Sequence, residues 1–164
     1  MTIHASERWV NVKASIFTWV LALPLTGAPP WVVEGQARAQ AHDGPWARLT
    51  LTPVQEVGSG MWSSTARAMR QDLIIVADLW WPDGSVDLTQ DAYALDRAAD
   101  DLVSALRYAD IPLLDYVSDP DSPTDLTGHA IRILEPQRAA RAAADGFQRV
   151  QITADAYLHI QQDL

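Results

Sequence analysis

Cysteine is absent from this 164-residue chain. That excludes disulfides, thiolate nucleophiles and Cys-ligated zinc, and it fits a reducing compartment. Basic residues are scarce as well, with 12 Lys and Arg against 21 Asp and Glu for a net charge of −9. A field of that sign repels phosphate, so sequence-reading nucleic-acid binding is disfavoured. No apolar run is long enough to span a bilayer. The nearest, Ala14–Leu25, follows Lys13 and precedes the small-residue sites Ala37-Arg38-Ala39 and Ala39-Gln40-Ala41, which gives it some look of a targeting signal. It starts late, however, and Glu7 stands ahead of it. A helix accounts for the run better, because Trp9, Val12, Ile16, Val20 and Leu23 fall on one stripe.

What is present in quantity is apolar side chain, 48% of the chain, and tryptophan, seven residues. A chain of this size builds one core. Indole is enriched where proteins meet partners, so some of the tryptophans are expected at an interface.

The pattern predicts a first helix over about Glu7–Leu23, N-capped by Ser6 and ended by Pro24 and the Gly27–Pro30 passage. Trp31–Val33 suits a short strand. Trp46–Val57 alternates as a half-buried strand, and Gly58 to about Ala66 suits a turn or flexible loop around Met61 and Trp62. Gln71–Trp81 is apolar on both faces apart from Asp72 and Asp78, as a central strand covered on both sides would be. A second helix is expected from an N-cap at Thr89 to about Tyr108. It would bury Leu95, Ala99, Leu102, Val103 and Leu106 and leave Asp96, Arg97, Asp100 and Asp101 wet. Asp119–Pro123 is a loop, and His129–Gln137 and Phe147–Ile160 alternate as strands. Between those strands Arg138–Ala144 fits either a helical turn or a hairpin tip. The sum is a single α+β domain over 1–164, an antiparallel or mixed sheet with two helices packed on one face.

Reactive constellations fail on spacing or residue type. His4, His42, His129 and His159 form no metal-binding pattern, and Gly58-Ser59-Gly60 lacks the spacing of a nucleophile elbow. Asp119, Asp121 and Asp125 begin like a calcium loop, but Pro123 takes the third ligand position and the required Gly and Glu are missing, so a solvated acidic loop is the better reading. No phosphate-binding Gly-rich loop occurs. The expectation is no enzyme, no cofactor and no metal site. The dipeptide Trp80-Trp81 places one indole on each sheet face, so one of the two is open to coverage by another subunit.

Several features occur in an order that resembles the tail terminator family of siphophage-type tails. The most specific is Gly44-Pro45-Trp46-Ala47-Arg48-Leu49 at a strand start. It is followed by Gly58 and Gly60 in a hairpin, basic Arg67 and Arg70, Trp80-Trp81-Pro82-x-Gly84, the helix spacing Ala98, Leu102, Ala105, and Gly146-Phe147 with Val150 opening the last strand. The similarity covers nearly the whole chain, with Asp119–Asp125 and Arg138–Ala144 departing from it. It implies a homohexameric ring at the head-proximal end of the virion tail, assembled in the host cytoplasm. Such a ring caps the tube, stops polymerisation of tail tube protein and offers a docking surface to the head–tail connector, and genomic DNA passes through its lumen without sequence-specific binding. Candidate ring or partner contacts are Met61, Trp62, Arg67, Arg70, Trp80, Trp81, Asp119, Asp121 and Asp125. The rival expectations are a head-closure or neck connector protein, a secreted binding domain released after Ala39 or Ala41, and a small enzyme using Asp78 or His159.

Overall fold

The computed structural model describes residues 5–33, 44–62, 66–82, 93–144 and 146–163. For 5–7, 55–62, 66–69, 127–128, 144 and 160–163 it describes the backbone alone. The elements in chain order are α1 (Ala5–Leu21), β1 (Trp31–Val33), β2 (Trp46–Trp62), β3 (Ala66–Pro82), α2 (Ala94–Leu106), β4 (Asp110–Asp115), β5 (Thr124–Ile133), β6 (Gln137–Arg138), β7 (Ala142–Ala144) and β8 (Phe147–Asp163). The strands form one mixed sheet in the order β1-β2-β3-β8-β5-β4, with β6 and β7 also on β8. Among the described residues only the β1–β2 pairing is parallel. This is the α+β architecture expected from the sequence, with both helices on one face.

Period-2 alternation decides which side chains enter the core. Leu73, Ile75, Ala77, Leu79 and Trp81 of β3 share a face with Val150, Ile152, Ala154, Ala156 and Leu158 of β8, and all are buried. Ala47, Leu49 and Leu51 of β2 extend that face, and Ile131 and Ile133 of β5 with Ile111 and Leu113 of β4 close it. The helices fit against it through Val12, Ile16 and Val20 of α1 and Leu95, Ala98, Ala99, Leu102 and Leu106 of α2, as their stripes predict. Val103 is only partly buried and packs at the margin.

Helix α1 also covers the outer edge of the sheet. Asn11 Oδ1 accepts the backbone N–H groups of Tyr116 (2.8 Å) and Val117 (3.1 Å), and Ser15 Oγ accepts that of Leu114 (3.0 Å). Both polar side chains are buried, standing where a neighbouring strand would otherwise satisfy the ladder. Asp101 of α2, expected to be wet, instead accepts the Thr26 backbone N–H (2.8 Å) and hydroxyl (2.6 Å), tying the loop after α1 to α2. In that loop Gly27 adopts φ +77°, and a Cβ there would sit 3.0 Å from Cζ2 of Trp81. Glycine is required by both conformation and space.

Several sequence expectations shift. α1 begins one residue ahead of Ser6, so Ser6 lies in its first turn, not at the cap. Thr89 lies outside the described residues, and α2 starts after Tyr93, which makes no side-chain cap. β2 continues through Gly58 to Trp62 paired with β3, with a register shift between Gly58 and Trp62, so most of the expected loop is strand; the tip at 63–65 lies outside the described residues. β4 went unread because Pro112 interrupts a short alternation of Ile111 and Leu113. Arg138–Ala144 forms the short strands β6 and β7 along β8, joined to it by a turn with Gly146 at φ +78°. Arg138 and Arg141 reach from it to Asp96 and Asp100 on α2, which are therefore ion-paired, not merely solvated.

Candidate functional site: the helix-distal face of the sheet

β3 was expected to be covered on both faces. Its second face is covered by neither helix and carries Arg70, Asp72, Ile74, Val76, Asp78 and Trp80. Of these only Asp78 is buried, at 2% exposure; the others are partly exposed. The register brings Trp46 of β2 and Arg149 of β8 beside Trp80, and Arg48 and Gln151 beside Asp78.

The indoles of Trp46 and Trp80 stack with centroids 5.3 Å apart and planes 2° from parallel, and Phe147 meets Trp80 edge-on at 6.5 Å. The Arg149 guanidinium lies 5.1 Å from the Trp80 ring centre. It also donates from Nε to Asp78 Oδ1 at 2.9 Å, while Arg48 Nη2 donates to Oδ2 at 2.9 Å and Gln151 Nε2 to Oδ1 at 2.9 Å. Burial alone would raise the Asp78 carboxyl, but the hydrogen bonds from Arg149, Arg48 and Gln151 outweigh it and hold its pKa below the ordinary value. Asp78 therefore stays ionised, and two half-exposed guanidiniums share one carboxylate. The result is a patch aromatic in its centre and cationic at its rim.

A second cluster lies farther along the same face. Arg70 stacks 4.5 Å from the Tyr157 ring centre and donates to Asp72 at 2.6 Å, and His159 meets Tyr157 edge-on at 5.3 Å. Ile74 and Val76 of β3 and Thr50 and Thr153 of the flanking strands join the two clusters in one strip.

Of the sequence-derived candidates, Trp80 and Arg70 share this face, but in separate clusters ten residues apart along β3. Trp81 is a correction: at 5% exposure beneath Gly27 it is core, unavailable to a partner. Met61, Trp62 and Arg67 lie on the backbone of the far β2–β3 hairpin, where Trp62 pairs with Arg67. Asp119 and Asp121 occupy the exposed β4–β5 connection, and Asp125 the start of β5. Asp119 Oδ1 accepts the backbone N–H groups of Asp121 (3.2 Å) and Ser122 (3.1 Å), fixing the turn. Sequence reasoning missed Trp46, Arg48, Arg149 and Gln151 as partners of Trp80 and Asp78. The available signal was Asp78 itself, an acid inside an apolar strand that demands cations on the neighbouring strands. Among the described residues no three His, Asp or Glu side chains gather as a metal-binding group.

No family model matches the chain, and no curated protein matches it. Solved structures do: one, named only by a sequence identifier, aligns over 93% of this chain and 95% of its own length with a TM-score of 0.57 at 14% identity. That likeness speaks to the fold alone.

Proposed function

We propose that this chain is a structural subunit of the tail-terminator type, one that forms a ring on the end of a tail tube, stops tube polymerisation and presents a docking surface to the head connector. On this reading it acts by binding and catalyses nothing. The observation that carries the proposal is the helix-distal sheet face. That face of the central strands is left by the chain's own helices with partly exposed indoles and aliphatics around a charged clamp. Aromatic and arginine side chains fixed in place before contact are the composition of protein interfaces. The resemblance in Gly44–Leu49 adds to this, because Trp46 and Arg48 of that segment stand in the patch.

The secreted-domain alternative fits the packing poorly. Processing after Ala39 or Ala41 would take Val12, Ile16, Val20 and Leu25 out of the core and uncover the β4 edge that Asn11 and Ser15 satisfy.

The test is the mass of the full-length protein by native mass spectrometry, alone and with tail tube protein. A closed hexamer in either condition, lost on Trp80→Ala while the monomer stays folded, is the expected result. A monomer that ignores the tube protein in both conditions refutes the terminator reading and favours a neck or binding-domain role.

A further inference from the structure

The patch and the acidic β4–β5 loop lie at diagonally opposite corners of one sheet. Trp80 is level with Trp46 and Arg149, at the beginning of β2 and β8 and the end of β3. Strand β5 meets β8 at Ile133–Ala156 and Ile131–Leu158 and runs from there, read backwards to Thr124, toward the other end of the sheet and the outermost strand. At about 3.3 Å of rise per residue, the separation along the strands is on the order of 50 Å. The loop therefore cannot reach the patch of its own chain.

Their chemistries are complementary. In a protein of net charge −9, Arg48 and Arg149 share the carboxylate of Asp78, which leaves the described side chains of the patch one positive charge in excess. Across the molecule, Asp119, Asp121 and Asp125 are exposed, and among the described residues no cation pairs with any of them. Two different complementary surfaces at opposite corners of a rigid sheet define a heterologous contact, the kind that closes into a ring or continues as a filament. The rival route, strand addition at the open edge of β2, is obstructed by Pro53 and the irregularity between Pro53 and Gln55.

We infer that adjoining copies of this chain meet head to tail, the acidic β4–β5 loop of one copy seated on the Arg48–Trp80–Arg149 patch of the next. This rests on the ring-forming reading above and supplies its contact. Asp121 at the loop tip faces the guanidiniums, and the indole stack provides the apolar floor.

The absence of cysteine makes the test clean. Asp121→Cys is mixed with Thr50→Cys, which lies on the patch face two residues beyond Arg48 and leaves the clamp intact. Oxidation is followed on non-reducing gels and by intact mass, alone and with tail tube protein. The expected result is a mixed disulfide at least about tenfold above the control pair of Asp121→Cys with Ser104→Cys, which is exposed on α2. Adding Asp119→Asn and Asp125→Asn to the Asp121→Cys chain keeps the turn acceptor at 119 and should cut the yield several-fold, as should raising the salt. A mixed disulfide no more abundant than the control overturns the contact. If wild-type protein also assembles on the tube, only the contact falls; if wild-type protein stays monomeric in both conditions, the ring reading falls with it.

Discussion

Toward the helices, β3 presents Leu73, Ile75, Ala77, Leu79 and Trp81, every one buried; away from them it presents Ile74, Val76, Asp78 and Trp80, of which only Asp78 is. The first face is held by burial of aliphatic surface against two helices. The second is held by an indole stack and a carboxylate gripped by two arginines, both of which leave part of their surface to solvent. Burial on the first face is completed within the chain. On the second, the side chains are ordered but their desolvation is unfinished, which is the state expected of a surface whose remaining area is covered by another molecule.

The adjacent indoles separate the two faces most sharply. Trp81→Ala should lower unfolding stability by about 3–5 kcal/mol, because it empties the space beneath Gly27. Urea unfolding followed by circular dichroism measures this, and a loss below about 1 kcal/mol would erase the distinction. The next effect belongs to Asp78. Asp78→Ala leaves two guanidiniums facing each other over a void and should destabilise by about 3 kcal/mol, somewhat less to the extent that the partly exposed arginines recover water. Its pH dependence has a definite sign. The folded pKa lies below the ordinary 3.8, so the clamp's contribution is fully present above that value and is lost as pH falls through the folded pKa. Wild-type stability should therefore drop on acidification below about pH 4, and thermal melts of Asp78→Asn should show a shallower drop. Equal slopes would mean that another carboxylate governs acid lability.

Trp80→Ala should be milder for the monomer, about 1–2 kcal/mol, since it removes one stack and a half-buried ring. Its larger consequence is for assembly, where loss of a central indole typically costs about 2 kcal/mol or more per contact. A folded Trp80→Ala monomer that no longer associates is the expected pair of observations, and unfolding on the scale of Trp81→Ala would make both faces core.

Much of the helix-facing architecture was legible in the sequence because burial writes itself as periodicity. The stripe of α1, the stripe of α2 and the alternation of Val150 to Leu158 each state their buried face directly. The helix-distal face was harder to read for a physical reason. Trp46, Arg48, Trp80, Asp78 and Arg149 come from three strands, and their meeting depends on register, which residue order does not encode. The reading of β3 as covered on both sides came from the same source: Ile74 and Val76 are apolar whether a helix of this chain or another subunit covers them. Trp81 was a candidate contact because alternation gives one indole per face without saying which face the helices take. The position of Asp119 to Asp125 in an exposed connection was readable from Pro120 and Pro123, whereas their distance from the patch required the topology.

The smallest expected difference probes the faces one methylene at a time. Ile75→Val removes a methyl group from a site 1% exposed and should cost about 1 kcal/mol; Ile74→Val, one residue earlier on the partly exposed face, should cost less than about 0.5 kcal/mol, because water fills what the methyl leaves. Denaturant midpoints of the monomers measure the pair. The comparison sharpens when repeated on assembled protein. If a neighbouring subunit covers the strip between the two clusters, the Ile74→Val penalty should rise toward that of Ile75→Val in the concentration dependence of assembly, while the Ile75→Val penalty remains a property of the monomer. An Ile74→Val variant indistinguishable from wild type in both states would place the subunit contact off the strip between the clusters, confining it on this face to the Arg48–Trp80–Arg149 patch.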